Sequence, residues 1–134
     1  MRTSIILTLL IFAGQYGFAQ SYTEYYETGK KHIADKEYKP AAEAFAKASD
    51  KAKSKTEKLL ALMSWGEAQS IMNKHEEAAE IFGKALAIEP SSPALLLQRG
   101  NSLLQIDSVE AAVKCYDKIL DSHPDNRDAR FFRA

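Results

Sequence analysis

The sequence contains a single cysteine, Cys115, among its 134 residues, so no disulfide can form within the chain. It also lacks an excess of either charge, because 18 lysines and arginines balance 18 aspartates and glutamates. Nucleic-acid binding through phosphates requires a basic surplus, so the composition argues against such a partner. With 46% hydrophobic and 27% charged residues, the chain is typical of one small domain that folds by packing alone.

Residues that could carry catalytic chemistry are equally sparse. His32, His75 and His123 are far apart, and none has a second histidine, cysteine or acid at a metal-ligand spacing. A nucleophilic cysteine needs a base and an electropositive setting, and no sequence pattern around Cys115 indicates either. No glycine-rich phosphate loop and no Gly-x-Ser-x-Gly elbow occurs. We therefore predict a protein that is not an enzyme and that uses neither a cofactor nor a metal.

The first 19 residues differ from the rest of the chain. Arg2 precedes an apolar run over residues 5–13, and Gly17 and Ala19 occupy the −3 and −1 positions of a small-residue cleavage site. The apolar run is shorter than the roughly 20 residues of a transmembrane helix. We therefore expect a signal peptide that is cleaved after Ala19, giving a periplasmic or secreted protein. An uncleaved N-terminal anchor is the alternative.

Three segments of the remaining sequence align with one another. Their shared landmarks are a glycine, an alanine and a large aromatic residue: Gly29, Ala41 and Phe45, then Gly66, Ala78 and Phe82, then Gly100, Ala112 and Tyr116. The second and third sets are 34 residues apart, whereas the first and second are 37 apart because of three extra residues within 51–58. A fixed period of this length indicates a repeat architecture.

The pattern within each repeat is helical. Apolar residues between Ala78 and Leu86 recur at i, i+3, i+4, i+7 and i+8, which places them on one face of a helix. Capping boxes begin at Ser21 and Ser54, and Pro90 and Pro124 end the preceding helices. We expect no strands and six main helices, over residues 22–35, 38–53, 56–72, 75–88, 93–105 and 108–121.

These features resemble the tetratricopeptide repeat, a helix-turn-helix family with a 34-residue period. The family places a small residue at position 8, alanine at 20 and 27, a large aromatic at 24 and proline at 32, and residues 75–90 match most fully. Lys36, Asn73 and Asp107 stand where the family usually has glycine. The resemblance covers residues 22–134 and implies an all-α fold, a right-handed α-solenoid of three tetratricopeptide helix-turn-helix repeats plus a short C-terminal helix.

The resemblance also sets the domain organisation. We predict a signal peptide at 1–19, repeats at 22–55, 59–92 and 93–126, and the start of a fourth repeat or a capping helix at 127–134. The last segment aligns with residues 93–100 and would leave Phe131 and Phe132 exposed. Either this segment is an imperfect cap, or it starts a fourth repeat and the sequence is a truncated piece of a longer protein, and we favour the second. Self-association through this exposed end is a further possibility.

In the tetratricopeptide family, the first helices of the pairs line a concave groove that binds a partner. Carried onto this sequence, the groove positions are occupied by Tyr26, Lys30, Met63, Ser64, Glu67, Leu97, Gln98 and Asn101. Further groove positions hold Ile33, Leu60 and Leu104, and Phe131 would extend the line. The mixed surface suits an extended segment or an amphipathic helix. Each apolar member could instead pack against the neighbouring repeat.

The resemblance therefore implies a protein–protein interaction scaffold or adaptor in the periplasm or cell envelope, which binds a peptide or helix in the groove. The alternative is the N-terminal recognition module of a longer envelope sensor or enzyme. One binding mode of the family grips a peptide's C-terminal carboxylate with lysines, arginines and asparagines at set positions. Those positions hold Tyr26, Lys30, Ser64, Ala94 and Gln98 here, so we predict that acidic C-terminal tails are not bound in that way.

Overall fold

The computed structural model describes residues 20–134, and over this range the chain is helical, with no strand. The helices are α1 (Tyr22–Ala34), α2 (Tyr38–Lys51), α3 (Lys55–Ile71), α4 (His75–Ile88), α5 (Pro93–Gln105), α6 (Val109–Ser122) and α7 (Arg127–Arg133). The six predicted helices are confirmed, with ends that agree to within two residues. The predicted signal peptide at 1–19 lies outside the described residues.

Each helix packs against the next one along the chain, from α1 with α2 through to α6 with α7. Three-residue turns join α1 to α2, α3 to α4 and α5 to α6, so these helices form antiparallel pairs. Contacts between α1 and α3 show that the first helices of the first two pairs also meet. No helix within residues 20–134 is long and apolar enough to cross a membrane.

Side-chain caps mark the first helix of each pair. Ser21, Ser54, Ser92 and Asn126 each accept a hydrogen bond from a backbone amide in the first turn of α1, α3, α5 and α7. The second helices α2, α4 and α6 begin without such a cap. The predicted capping box is complete only at Ser21, because the Glu57 carboxylate accepts from the Lys53 amide, at 2.7 Å, instead of from Ser54.

The turn inside each pair has one residue in the left-handed conformation, at the same position in all three repeats. The residues are Lys36, Asn73 and Asp107, all with φ of 59°. In the first turn the Lys36 amide donates to the Ile33 carbonyl, and the Glu37 amide donates to the His32 carbonyl, at 3.0 and 2.8 Å. This pair of bonds is the Schellman motif, which usually places glycine at the left-handed position. Lysine, asparagine and aspartate therefore adopt the turn conformation for which the family usually has glycine.

The core of each pair depends on a glycine that faces an aromatic ring. The pairs are Gly29 with Phe45, Gly66 with Phe82, and Gly100 with Tyr116. A Cβ atom added at any of the three glycines would lie 2.6 Å from a ring carbon, which is closer than atoms can pack. All three rings are almost completely buried. The glycine thus lets the two helices approach until the ring fills the space between them.

The last helix covers the third pair. Ala129 of α7 is fully buried, and the Phe132 ring stacks on Tyr116 with centroids 5.7 Å apart. Phe131 remains 76% exposed. The helix α7 therefore packs in the way that α3 and α5 pack on the pairs before them.

The left-handed conformation of a residue other than glycine should lower the free energy of unfolding, and substitution by glycine tests this. Lys36→Gly should raise the free energy of unfolding by roughly 0.5–1 kcal/mol, because it removes the Cβ crowding at positive φ, partly offset by the greater freedom of glycine in the unfolded chain. Urea denaturation measures the change. Asn73→Gly should gain less, because asparagine tolerates this conformation better than lysine does.

The matched control is Lys31→Gly, the same chemical change at an exposed position inside α1. It should lower the free energy of unfolding by about 1 kcal/mol, because glycine is a poor helix residue. Two changes of the same sign would show that the left-handed conformation does not set the energy of the turn.

Candidate binding groove

A small pocket lies between the first helices α1 and α3. It has a volume of about 190 Å³ and is lined by Lys30, Ile33, Phe45, Ser64, Glu67 and Ile71. The edge of the buried Phe45 ring contributes to the apolar part, together with the two isoleucines. Lys30 and Glu67 add opposite charges at the same opening. The pocket can therefore hold an apolar group while polar groups beside it contact lysine or glutamate.

Four of the predicted groove residues meet in pairs across neighbouring helices. The hydroxyls of Tyr26 and Ser64 are 3.3 Å apart and join α1 to α3. The Gln98 amide donates to the Glu67 carboxylate at 3.0 Å and joins α3 to α5. These bonds run from one repeat to the next along the groove. These polar residues therefore link the helices that line the groove. A bound segment would replace some of these hydrogen bonds with its own.

Tyr26 and Lys30 form the first end of the groove. The Tyr26 ring stacks on Tyr22 and also contacts Phe45, with both centroid distances at 5.4 Å. The Lys30 ammonium lies 5.9 Å from the centroid of the Tyr26 ring and 2.9 Å from the Glu27 carboxylate. Its hydrogen bond to Glu27 raises the pKa of Lys30, so this end of the groove carries a lysine that stays charged at neutral pH.

Asn101 has a partner in the core. Its side-chain oxygen accepts a hydrogen bond from the Tyr116 hydroxyl at 2.8 Å. Burial of the phenol, with a smaller effect of Cys115, raises the pKa of Tyr116 to about 12. The other two rings of the glycine pairs, Phe45 and Phe82, have no hydroxyl and need no such acceptor. Asn101 therefore satisfies a polar group that only the third repeat contains.

The apolar side chains that were predicted to line the groove differ in their exposure. Met63, Leu97 and Leu104 are partly buried and pack against the core, as the packing alternative expects. Leu60 is 43% exposed, and Ile71, which was not among the predicted residues, is 51% exposed. Ile71 lies one helical turn after Glu67 on the same face of α3, and this spacing is the signal that could have identified it.

The histidines and the cysteine have structural surroundings. The Nδ1 atom of His32 lies 2.6 Å from the Glu37 carboxylate and closes the turn between α1 and α2. Cys115 is buried, and burial raises the pKa of its thiol. Across residues 20–134, no three histidine, cysteine or acidic side chains come together as a metal-ligand group.

Comparison with known proteins agrees with this architecture. The tetratricopeptide repeat family model matches residues 71–134. The described chain has the tetratricopeptide repeat fold. The solved structures similar to it include a tetratricopeptide repeat protein from Parabacteroides merdae, with 23% sequence identity and a TM-score of 0.79. That match covers 86% of this chain and 45% of the Parabacteroides protein, so this chain spans just under half of its length.

Two further tetratricopeptide structures contain peptides. The first such domain of Spaghetti (RPAP3), bound to the HSP90 peptide SRMEEVD, has 21% identity and a TM-score of 0.72, over 86% of this chain and 89% of its own. The second domain of human RPAP3, in complex with the HSP70 peptide SGPTIEEVD, has 16% identity and a TM-score of 0.71, over 84% and 95%. At these identities the likeness establishes the fold alone. No curated protein is significantly similar in sequence.

Proposed function

We propose that this chain is a non-catalytic interaction scaffold that binds a peptide or a helix of a partner protein in the groove of its first helices. The observation that carries the proposal is the pocket between α1 and α3, where the exposed Ile71 lies beside Lys30 and Glu67. An exposed apolar side chain next to fixed charges is typical of a site that recognises an amphipathic segment. The two RPAP3 domains, which share the fold, are solved with bound peptides, and this supports peptide binding in general.

The pocket also indicates what kind of segment fits. A volume of about 190 Å³ accommodates one apolar side chain of the partner against Ile33, Phe45 and Ile71. A carboxylate on one side of that side chain would reach Lys30, and a basic or amide group on the other would reach Glu67. We therefore expect a segment with one apolar anchor flanked by polar residues, bound as an extended strand or as one face of a helix.

Ile71→Lys tests the groove. A peptide is first selected for binding to the protein from a displayed random library, and its Kd is measured by titration calorimetry. Placing a charge at the pocket opening should weaken binding at least about tenfold, which corresponds to 1.4 kcal/mol. The measured stability should be unchanged, because the side chain at this position is half exposed.

Val109→Lys is the matched control, because Val109 is 54% exposed, close to Ile71 in exposure, and begins α6 away from the pocket between α1 and α3. Its Kd for the selected peptide should stay within about twofold of the parent value. Equal effects of the two changes, or none from either, would contradict the assignment of the groove.

We expect that this chain does not bind acidic C-terminal tails. The peptide SRMEEVD, which the Spaghetti domain binds, should show no saturable binding to this chain below about 1 mM. The reason is that Tyr26, Ser64 and Ala94 occupy positions where carboxylate grips need basic or amide donors, which leaves Lys30 as the one charged donor. The Gln98 amide is uncharged and already donates to the Glu67 carboxylate. The Spaghetti domain serves as the positive control in the same titration. A micromolar Kd for this chain would overturn the prediction.

We also propose that the scaffold works in the periplasm or cell envelope. The proposal rests on the basic, apolar and small-residue segments of residues 1–19. Intact-mass measurement of the native protein from an envelope fraction tests it. A chain that begins at Gln20 is the expected result, and a chain that begins at Met1 would contradict cleavage. A mass well above that of 134 residues would favour the alternative, a recognition module of a longer envelope sensor or enzyme.

A further inference from the structure

A second pocket lies on the side of the molecule away from the groove, between α4, α5 and α6. On α5 it uses Leu96, Arg99 and Leu103, whose i, i+3 and i+7 spacing places them on one face. The groove residues Leu97 and Asn101 lie on the opposite face of the same helix, because successive residues are rotated by about 100°. A ligand in this pocket would therefore not compete with a segment in the groove.

The pocket combines an apolar floor with cationic walls. Its volume is about 310 Å³, and its lining residues are Leu86, Leu96, Arg99, Leu103, Ala111, Lys114, Cys115 and Lys118. Three of these residues are basic and none is acidic. In the part of the chain that the structure describes, Arg99, Lys114 and Lys118 take part in no salt bridge. Three cations therefore surround a pocket that contains no counter-charge.

The Arg99 side chain has a buried hydrogen-bond donor without an acceptor. Its Nε atom is buried, and it has no hydrogen-bond partner among the described residues. The guanidinium lies against Gly83 of α4, because a Cβ atom added there would be 3.4 Å from the guanidinium carbon. A buried donor without an acceptor is costly, since it has lost its bonds to water. The terminal nitrogens of the same guanidinium are not among these buried atoms, so an anionic oxygen in the pocket would accept from them and add a favourable charge.

The other repeats show what is different about this pocket. A lysine stands at the same repeat position in all three, as Lys47, Lys84 and Lys118. Four residues earlier the first two repeats have acids, Glu43 and Glu80, whereas the third has Lys114. In the second repeat Glu80 pairs with Lys84 at 3.3 Å. The third repeat replaces this neutralising acid with a second lysine, and its seventh position holds Arg99.

We propose that the pocket between α4, α5 and α6 binds a small anionic amphiphile, in which a carboxylate or phosphate group contacts Arg99, Lys114 and Lys118. The short apolar tail of the ligand lies against Leu86, Leu96 and Leu103. Charge-assisted hydrogen bonds hold the head group, and removal of apolar surface from water holds the tail. Neither part alone fills a pocket of about 310 Å³ that is both cationic and apolar.

Four probes separate the contributions of head group and tail. Octanoate and octyl phosphate carry both parts, octan-1-ol carries only the tail, and inorganic phosphate carries only the charge. Binding is measured by titration calorimetry and by the rate at which iodoacetamide alkylates Cys115, the only cysteine, which lines the pocket. We expect octanoate or octyl phosphate to bind at least about tenfold more tightly than octan-1-ol and inorganic phosphate, and to slow alkylation. The stronger of the two anionic amphiphiles identifies the head group.

Lys114→Glu is the most direct test of the cationic site, because it introduces the acid that the other two repeats have at this position. The introduced carboxylate can pair with Lys118 one turn later, as Glu80 does with Lys84. Affinity for the better amphiphile should fall at least about tenfold, with the fold and the selected groove peptide unaffected. Lys74→Glu makes the same charge change at the turn before α4, outside the pocket, and should alter affinity less than about twofold.

Several outcomes would overturn the proposal. They are no binding of either anionic amphiphile below about 10 mM, equal binding of octan-1-ol, equal binding of inorganic phosphate, and equal losses in Lys114→Glu and Lys74→Glu. Equal binding of the alcohol would mean that the cations play no part. Equal binding of phosphate would mean simple adsorption of an anion at a basic surface. The groove proposal does not depend on any of these results.

Discussion

The close approach of a glycine to an aromatic ring sets the geometry of every helix pair. In each pair the glycine lies on the first helix and the ring comes from the second, and any Cβ atom at the glycine would overlap the ring. The ring is buried because the glycine leaves room for it, and the two helices meet closely because the ring fills that room. Three repetitions of one contact, at Gly29, Gly66 and Gly100, therefore produce a regular stack.

Both candidate binding surfaces follow from this stack. The candidate groove lies along the first helices, where the pocket between α1 and α3 opens and hydrogen bonds such as that from Gln98 to Glu67 connect one repeat to the next. The opposite face of α5 meets α4 and α6, where Arg99 reaches across to Gly83. The side chains that line the two surfaces vary among repeats, whereas a glycine and an aromatic ring face each other in all three. The packing of the helix pairs is thus repeated, whereas the side chains available for binding differ from repeat to repeat.

Much of the fold could be predicted because it depends on local spacing, whereas the sites depend on contacts between distant residues. Helix ends followed from serine caps and prolines, and the glycine and aromatic landmarks identified the pairs. The spacing of Ile71 from Glu67 indicates its helix face, but its exposed fraction depends on how α1 and α3 pack. The bond between Asn101 and Tyr116, and the missing acceptor for Arg99, depend on side-chain positions across two or three helices. Sequence spacing does not fix those positions.

The most direct test of this account compares Gly66→Ala with Gly83→Ala by urea denaturation. Both change a glycine inside a helix, but a Cβ atom would lie 2.6 Å from the Phe82 ring at Gly66 and 3.4 Å from the flexible Arg99 side chain at Gly83. We expect Gly66→Ala to lower the free energy of unfolding by about 1–3 kcal/mol through overpacking. Gly83→Ala should raise it by up to about 1 kcal/mol through helix propensity. A Gly66→Ala protein as stable as the parent would contradict the central role of the glycine–ring contact.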